Sequence, residues 1–559
     1  MNFNLVILIV FYWLIICSVV GYGLILSKYF FKEKENYNFG YLGIYGLIIL
    51  ILYSYIINFA FSPSLAHNII LFSLGFANFI FFIKEKFNKI NIELKKFFLI
   101  FLILFIAILI SKTHDDFSYY HFPYTYNLIN NDFIVGIGIL NHGFRTPSSI
   151  FYFNSLLYLP LINYNLFHLT PILFIGFANF ILINFIFNNL NKYNYIFFLS
   201  LLSFGFINIF FYRISEHGTD RSALILLFLI VIEIMILINK KLIDQQKINH
   251  ILLLIALTIT LKAFYFLYLI ILIPIFLYLI EQKKIFGVLK LLFFRKTFLI
   301  LSLMCFMVIF VNILNTGCAI YPVHFTCLDN FSWTISNQEV IKMNNWYEQW
   351  SKAGAGPNFR VENPEHYIKG FNWVSHWIDK YFFTKGSDFI FGILFLISVI
   401  YFYLIKGKTK YTKIEKIKFG SIYFIILFLT FEWFYNHPAL RYGGYTLICL
   451  ILFIPASIIF NKYNLNKSLL KIRTKKLLLI ILIIFFGRNV DRIYYEVSKY
   501  GYNPLNNPFY NLVDHHYRID KQIEGYLNNY ENCQNNSLDC NKEQQIKIKK
   551  INNIIIISR

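Results

Sequence analysis

Residues 97–121 read FFLIFLILFIAILISKTHDDFSYYH, an apolar run followed by the adjacent carboxylates Asp115 and Asp116. Similar runs recur along the 559 residues, of which 58% are hydrophobic and only 14% charged, and the mean hydropathy is +0.57. No soluble core could absorb this much apolar surface. The sequence therefore predicts an all-α polytopic membrane protein. Its acidic pair would lie at the edge of the hydrocarbon, where carboxylates cost far less free energy than inside it.

About fourteen segments are predicted to span the membrane, because roughly 20 apolar residues cross a bilayer. They lie at 4–26, 40–61, 66–83, 96–111, 166–188, 195–212, 222–239, 249–261, 264–280, 297–314, 388–405, 420–435, 443–460 and 477–487. The first lacks a basic leader and is too long for a signal peptide, so we expect it to be retained. The segments define a membrane domain over 1–487, and a polar tail over 488–559 is expected to be external.

The distribution of basic residues predicts the orientation of these segments. Of the 51 Lys and Arg residues, 29 lie in seven alternate loops, which are therefore predicted to be cytoplasmic. The loops are 27–39, 84–96, 190–194, 240–248, 281–296, 406–418 and 461–476. Both termini and the loop with Asp115 and Asp116 are then external. Because the Lys residues are scattered rather than clustered on a soluble domain, the net charge of +22 does not indicate a nucleic-acid partner.

Cysteine positions agree with this topology, since disulfides persist on the oxidising side of a membrane. Cys318, Cys327, Cys533 and Cys540 all fall in stretches predicted to be external, and no Cys falls in a predicted cytoplasmic loop. We predict the pairs Cys318–Cys327 and Cys533–Cys540, with cross-pairing between loop and tail as the alternative. Neither spacing is typical of a zinc site.

An apolar run over 249–280 is interrupted only by Lys262. It is too long for one spanning helix and too short for two full ones at 1.5 Å per residue, so a short helical hairpin with Lys262 at its external tip is predicted. Lys262 would either extend to the membrane interface or hold a phosphate.

Two large external loops are predicted over 112–165 and 315–387. The first is expected to form amphipathic helices on the membrane surface. The second holds five of the seven Trp residues, and a spacing of four puts Trp346 with Trp350, and Trp373 with Trp377, on shared helical faces. Anchoring at the membrane interface is the first interpretation of these Trp residues, and stacking on a sugar is the second.

Most of the unusual polar residues fall at predicted external ends. They are His114, Asp115, Asp116, His121, Arg145, Arg213, Glu216, His217, Asp220, Arg221, Lys262, His324 and Arg441. Carboxylates among cations suit a transfer in which a base deprotonates an acceptor hydroxyl while cations hold a leaving phosphate. Each residue also has a structural interpretation: the acidic pair as a solvated loop start, Arg213 as an ion-pair partner of Glu216 or Asp220, and Arg441 as an interfacial side chain.

The stretch THDDFSYYH at 113–121 resembles the signature of the C-type (GT-C) glycosyltransferases, in which an acidic pair follows a membrane helix in the first large external loop. The stretches NTGCAIYPVHFTC at 315–327 and HPALRYG at 437–443 are similar to a bacterial membrane-protein group with that architecture. The resemblance covers most of the membrane region. It implies a multi-helix enzyme of the bacterial cytoplasmic (inner) membrane, active on the extracytoplasmic face. The chain has additional helices before the acidic loop, which implies an elaborated member.

The resemblance implies a polyprenyl-phosphate sugar donor, a glycan or lipid acceptor, and inversion at the anomeric carbon. Asp116 or Asp115 is then expected to be the general base. Arg441 and Lys262 are expected to pair with the donor phosphate, and the remaining predicted substrate-binding residues are His114, His121, Arg145, Arg221 and His324. No cofactor is predicted, because a divalent metal held by Asp115, Asp116, His114 and His121 would have fewer oxygen ligands than hard cations prefer.

Two other classes of protein also fit many helices and large loops. A polysaccharide polymerase or ligase would depend on Arg and His in its large loop more than on an early acidic pair. A lipid-linked sugar transporter would place charges at mid-membrane depth and show internal symmetry. Only Glu233 is predicted at such a depth, and we expect it to be a hydrogen-bonded packing residue.

Overall fold

The computed structural model describes residues 3–28, 38–114, 116–131, 133–190, 195–216, 218–282, 285–293, 295–356, 359–408, 417–463, 465–501, 503–505, 508, 546–552 and 554–559. Its α-helices are α1 Phe3–Leu26, α2 Phe39–Ala60, α3 Leu65–Leu104, α4 Phe122–Asn130, α5 Ser149–Leu156, α6 Leu169–Asn189, α7 Tyr195–Phe210, α8 Gly218–Ile238, α9 Gln245–Leu261, α10 Leu272–Gln282, α11 Ile285–Phe293, α12 Lys296–Thr316, α13 Asn337–Lys352, α14 Pro364–Ile368, α15 Val374–Trp377, α16 Ser387–Ile400, α17 Gly420–Asn436, α18 Gly444–Phe460 and α19 Lys467–Tyr500. The strands are β1 Phe133–Val135, β2 Lys547–Ile551 and β3 Ile554–Ser558. Short 3-10 or π-helical turns cover Phe105–Leu109, Phe117–His121, Ile137–Ile139, His142–Arg145, Ala263–Ile271, His324–Thr326, Ile378–Gly386, Tyr401–Ile405 and Leu440–Tyr442.

The predicted helical membrane architecture is confirmed. Within the described ranges, seven helices are long and apolar enough to cross a membrane: Phe3–Leu26, Phe39–Ala60, Leu169–Asn189, Gly218–Ile238, Ala263–Gln282, Lys296–Thr316 and Val374–Ile405. Helices α7 and α18 are shorter but also apolar. The apolar windows of α6 and α8 are 89% buried, whereas those of the last three long helices are only 33–39% buried. Helices α6 and α8 therefore form the centre of the bundle, whereas Ala263–Gln282, Lys296–Thr316 and Val374–Ile405 expose apolar surface suited to lipid.

Helix α3 doubles back on itself. The rings of Phe79 and Phe97 lie 6.5 Å apart, and both contact Phe39. In a straight helix, 18 residues would separate them by about 27 Å. The chain therefore reverses in the stretch that contains most of the predicted loop 84–96, and its two halves correspond to the predicted segments 66–83 and 96–111.

The predicted hairpin around Lys262 is also present. Helix α9 ends at Leu261, Lys262 is extended, and the chain returns through Ala263–Ile271 into α10. The hydroxyl of Tyr278 donates to the carbonyl of Lys240 at 3.1 Å, which joins the far end of the hairpin to the end of α8. Lys262 thus lies at the opposite end of the bundle from the Lys-rich segment 240–248.

Glu233 is the packing residue that its position predicted. Its side chain is fully buried near the C-terminal end of α8, where Lys247 Nζ lies 2.7 Å from Oε2 of Glu233 and His250 Nδ1 lies 3.3 Å from Oε1 of Glu233. This carboxylate is therefore neutralised within the bundle.

The structure extends the final predicted segment. Helix α19 runs unbroken over Lys467–Tyr500 and ends at Gly501, whose φ is +68°. The expected segment 477–487 and the domain boundary after residue 487 both fall inside this helix. The polar residues 488–500 continue the helix because no Pro interrupts them and because side chains such as Asn489 and Glu496 are buried against the bundle.

One small three-stranded sheet accompanies the helices of this all-α architecture. Its order is β1-β3-β2, with β1 parallel to β3 and β2 antiparallel to it. Phe133 pairs with Ile554 and Val135 with Ile556, so the end of the predicted tail lies on the first large loop. Gly136 follows β1 with φ +78°, and a Cβ there would lie 2.2 Å from the carbonyl oxygen of Ile557. A glycine is therefore required for the close approach.

Candidate active site

The acidic segment begins as the extended chain that leaves the second half of α3. The backbone N–H of Asp116 donates to Nδ1 of His114 at 3.1 Å, and the N–H of Phe117 donates to the carbonyl of His114 at 2.9 Å. These contacts turn the chain into the π-helical turn Phe117–His121. The turn directs the Asp116 carboxylate towards Arg441. Asp115 lies outside the described residues.

Four charged side chains form a chain of opposite charges at this end of the bundle. Arg441 Nη1 lies 3.5 Å from Asp116 Oδ2, and Arg441 Nε lies 4.0 Å from Asp220 Oδ2. The other oxygen of Asp220 accepts a hydrogen bond from Lys262 Nζ at 2.6 Å. Residues separated by up to 325 positions in the sequence therefore meet in one cluster, which we call the charge cluster: Asp116, Asp220, Lys262 and Arg441.

Aromatic rings enclose the two cations of the charge cluster. The guanidinium carbon of Arg441 lies 4.7 Å from the ring centre of Trp350 and 5.1 Å from that of Tyr442. Lys262 Nζ lies 4.9 Å from the ring centre of Tyr442. Such contacts stabilise a cation and leave its N–H groups free to bind an anion. Trp350 is delivered by α13 from the second large loop, so both large loops contribute to the site.

The electrostatics favour charged forms of Asp116 and Arg441. Burial would raise the pKa of Asp116, but contact with His114 and the positive charge of Arg441 outweigh it and hold the pKa well below its usual range. Burial would lower the pKa of Arg441, but Tyr442 and the carboxylates of Asp220 and Asp116 raise it well above its usual value. Without a substrate, the carboxylate of Asp116 is therefore a stable anion and a weak base.

His121 is a neutral polar side chain beside the charge cluster. Burial lowers its pKa to about 3, although the negative charge of Asp116 acts in the opposite direction. In the described part of the chain, its Nε2 atom has no hydrogen-bond partner. A neutral imidazole can donate or accept one hydrogen bond at that atom.

Three of the seven predicted substrate-binding residues, Arg145, Arg221 and His324, lie neither in the charge cluster nor in contact with Asp116. Arg145 is used within the protein: Nε donates to the carbonyl of Gly138, Nη1 to the Tyr321 hydroxyl, and Nη2 to Glu339. Arg221 packs over the ring of Phe211 at 5.4 Å. His324 is exposed on the disulfide-bonded loop. Lys262 and Arg441 belong to the charge cluster, and His114 and His121 lie beside Asp116, so the structure brings four of the seven residues together; their binding of a substrate stays a prediction.

The predicted Cys318–Cys327 disulfide is present and closes the loop that contains His324. The predicted Cys533–Cys540 pair lies outside the described residues. Trp373 and Trp377 are 0% and 7% exposed and pack 6.2 Å apart, so this pair serves the protein interior rather than the membrane interface. Trp346 and Trp350 share α13, as their spacing predicted.

Asp220 is the site residue that the sequence interpretation undervalued. The structural interpretation pairs Arg213 with Glu216 or Asp220, and the structure assigns that role to Glu216, whose Oε2 accepts from Arg213 Nε at 2.8 Å. Asp220 faces Lys262 and Arg441 instead. Its position in the first turn of a buried spanning helix was the available signal, because a carboxylate there requires cations nearby. Across the described ranges, no group of three or more His, Cys, Asp or Glu side chains is arranged to hold a metal ion.

Fold and site together define a helical, multi-span membrane protein with a charged, aromatic-lined cluster at the end of the bundle that bears its large loops. The chain belongs to the protein family described as Domain of unknown function (DUF8201), whose model matches residues 4–448. The matched range includes all four residues of the charge cluster and ends before α19. No curated protein and no solved structure matches the chain.

Proposed function

We propose that the protein is a membrane glycosyltransferase that moves a sugar from a polyprenyl-phosphate donor to a glycan or lipid acceptor. The observation that carries the proposal is the meeting of the Asp116 carboxylate with Arg441 and Lys262 where apolar helices give way to polar loops. A lipid-linked sugar phosphate needs this combination, because its phosphate lies at the membrane surface and its anomeric carbon reacts just above it.

The proposed reaction inverts the configuration at the anomeric carbon. The acceptor hydroxyl oxygen forms the new bond to that carbon, its proton passes to Asp116, and the bond from the carbon to the phosphate oxygen breaks. Arg441 and Lys262 bind the departing polyprenyl phosphate. The neighbouring Asp115 remains the alternative base.

Donor binding would also prepare the base. His114 and Arg441 together hold the pKa of Asp116 down in the free protein, and a phosphate that draws the guanidinium towards itself would weaken the contribution of Arg441. The carboxylate would then become a stronger base once the donor is in place. Asp220 pairs with both Lys262 and Arg441 while no donor is bound, which would keep the two cations oriented for the phosphate.

The surroundings of Lys262 support a lipid substrate. The chain after Lys262 exposes apolar side chains along the returning arm of the hairpin, among them Ile273 and Leu277, which are 45% and 46% exposed. A polyprenyl tail lying along this arm in the bilayer would bring its phosphate to Lys262. The distribution of Lys and Arg supports an extracytoplasmic position for this end of the bundle, and the proposal places the protein in a bacterial inner membrane.

The test compares surface glycans by mass spectrometry between wild type, Asp116→Asn and the control Asp329→Asn, with membrane levels matched in the native host. Asp329 is an exposed carboxylate of the second large loop. Loss of one defined sugar mass in Asp116→Asn alone is the expected result. Shortened polymer with single repeat units intact would indicate a polymerase instead. Unchanged glycans in Asp116→Asn would refute a catalytic role for Asp116.

A further inference from the structure

The last turns of α19 contact the loops that carry the charge cluster. Arg488, Arg492 and Glu496 are spaced four residues apart, so they share one face of the helix. Arg488 Nη1 donates to the carbonyl of Ile209 at 2.8 Å, at the end of α7. The two side chains that follow reach the segments before Asp116 and before Asp220.

Glu496 holds the segment before Asp116. Its carboxylate is 2% exposed and accepts three hydrogen bonds, from the N–H and hydroxyl of Ser111, both at 2.8 Å, and from the N–H of Lys112 at 3.2 Å. This segment is extended and belongs to no sheet, so Glu496 satisfies backbone groups that would otherwise need another partner. Ser111 is five residues before Asp116.

Arg492 holds the segment before Asp220. Its guanidinium forms an ion pair with Glu216, whose side chain is only 1% exposed and which also accepts from Arg213. Glu216 is four residues before Asp220. A single helical face thus fixes both chain segments that lead to the carboxylates of the charge cluster.

We propose that the end of α19 is a brace that sets the spacing between Asp116 and Asp220, with Glu496 and Arg492 as positioning residues for sugar transfer. The effect on sugar transfer rests on the proposed function. The effect on the positions of the two chain segments rests on the contacts alone. Both side chains act through others, because their contacts are with Ser111, Lys112 and Glu216 rather than with the charge cluster. Misplacing a reacting group by about 1 Å can cost about 100-fold in rate, so a loosened brace would lower the turnover number more than the affinity for donor.

The activity test uses the full chain in membranes with a polyprenyl-phosphate sugar as the varied donor, and it compares Glu496→Ala, Glu496→Gln and the control Asp491→Asn, an exposed carboxylate on the same helix. Glutamine keeps an oxygen for Ser111 but presents N–H groups to Lys112, so it should retain part of the function. We expect kcat to fall about 100-fold in Glu496→Ala and about tenfold in Glu496→Gln, with KM changed less than threefold and the control unchanged. A Glu496→Ala variant that loses activity through a raised KM rather than a lowered kcat, or that loses no activity, would overturn the positioning role.

The structural test is independent of any enzymatic activity. Hydrogen–deuterium exchange of the purified protein in lipid nanodiscs should accelerate at least tenfold over residues 110–117 in Glu496→Ala, with α6 and α8 unchanged. Arg492→Met should accelerate exchange over 213–221 instead. If exchange over 110–117 stays at the wild-type rate, the brace does not exist. If it accelerates while Asp116→Asn leaves the glycans unchanged, the brace stands and the proposed function fails. If Glu496→Ala exchanges rapidly along the whole chain, the variant is not folded. The exchange of residues 110–117 in Glu496→Gln then decides the outcome.

Discussion

The ion pair between Lys262 and Asp220 should contribute measurably to stability. The atoms are 2.6 Å apart and the side chains are only 20% and 10% exposed. Their Coulomb attraction is about 6 kcal/mol at an effective dielectric constant of about 20. Arg441 remains 4.0 Å from Asp220 when Lys262 is removed, and that contact retains about 4 kcal/mol of attraction.

Desolvation of each ion offsets much of these gross energies. Lys262→Met should therefore reduce the free energy of unfolding by about 2–3 kcal/mol, and Asp220→Asn by a similar amount. The double variant should lose about 2 kcal/mol less than the sum, because neither partner is left unpaired. The measurement is a double-mutant cycle by SDS unfolding in mixed micelles, followed by circular dichroism.

The matched control is the pair Lys418–Glu281, which has nearly the same distance of 2.7 Å but side chains that are 60% and 57% exposed. Solvent screening should reduce its coupling energy to less than about 1 kcal/mol. A coupling energy for Lys262 and Asp220 no larger than that of the control would refute the electrostatic account of the charge cluster.

Two further predictions concern Arg441 and His168. Arg441→Lys keeps the charge, but a lysine cannot contact Asp116, Asp220 and Trp350 together. The rate of sugar transfer in membranes should therefore fall at least about tenfold in Arg441→Lys and stay at the wild-type value in the exposed control Arg360→Lys. Equal rates in the two variants would contradict this prediction. Burial lowers the pKa of His168 to about 4 from 6.5, so between these pH values only the unfolded chain gains the proton and stability falls as pH falls. The loss should be about 1.6 kcal/mol from pH 6.5 to 5, and His168→Asn should remove that part of the slope in SDS unfolding; an unchanged slope would contradict it.

Local patterns in the sequence predicted much of the fold. Apolar runs of sufficient length gave the helices, and the interruption by Lys262 predicted a hairpin because a charge is tolerated only where the chain leaves the hydrocarbon. Cys318 and Cys327 are close in sequence, so their pairing needed no long-range information. Asp116, Lys262 and Arg441 were grouped correctly because all three were assigned to the same end of their helices.

Long-range packing determined what the sequence did not reveal. The choice between Glu216 and Asp220 as the partner of Arg213 depends on where α19 and Lys262 lie, because the two acidic residues are only four positions apart in the sequence. The sequence predicted Arg145 as a phosphate ligand, because its partners Tyr321 and Glu339 are distant in the sequence. In the structure, these two residues accept hydrogen bonds from its guanidinium. The sequence did not predict the full length of α19, because a hydropathy pattern treats polar side chains such as Asn489 and Glu496 as exposed, whereas they are buried in the structure.

The pairing of β1 with β3 restricts how often the chain can cross the bilayer. Two strands that share backbone hydrogen bonds lie on the same side of a membrane, so the number of crossings between residues 135 and 554 must be even. Five of the seven long apolar helices lie in that interval, and an odd number would leave the strands on opposite sides. If all five cross, an odd number of shorter helices must cross as well, and the ten segments predicted there, from 166–188 to 477–487, have the required parity.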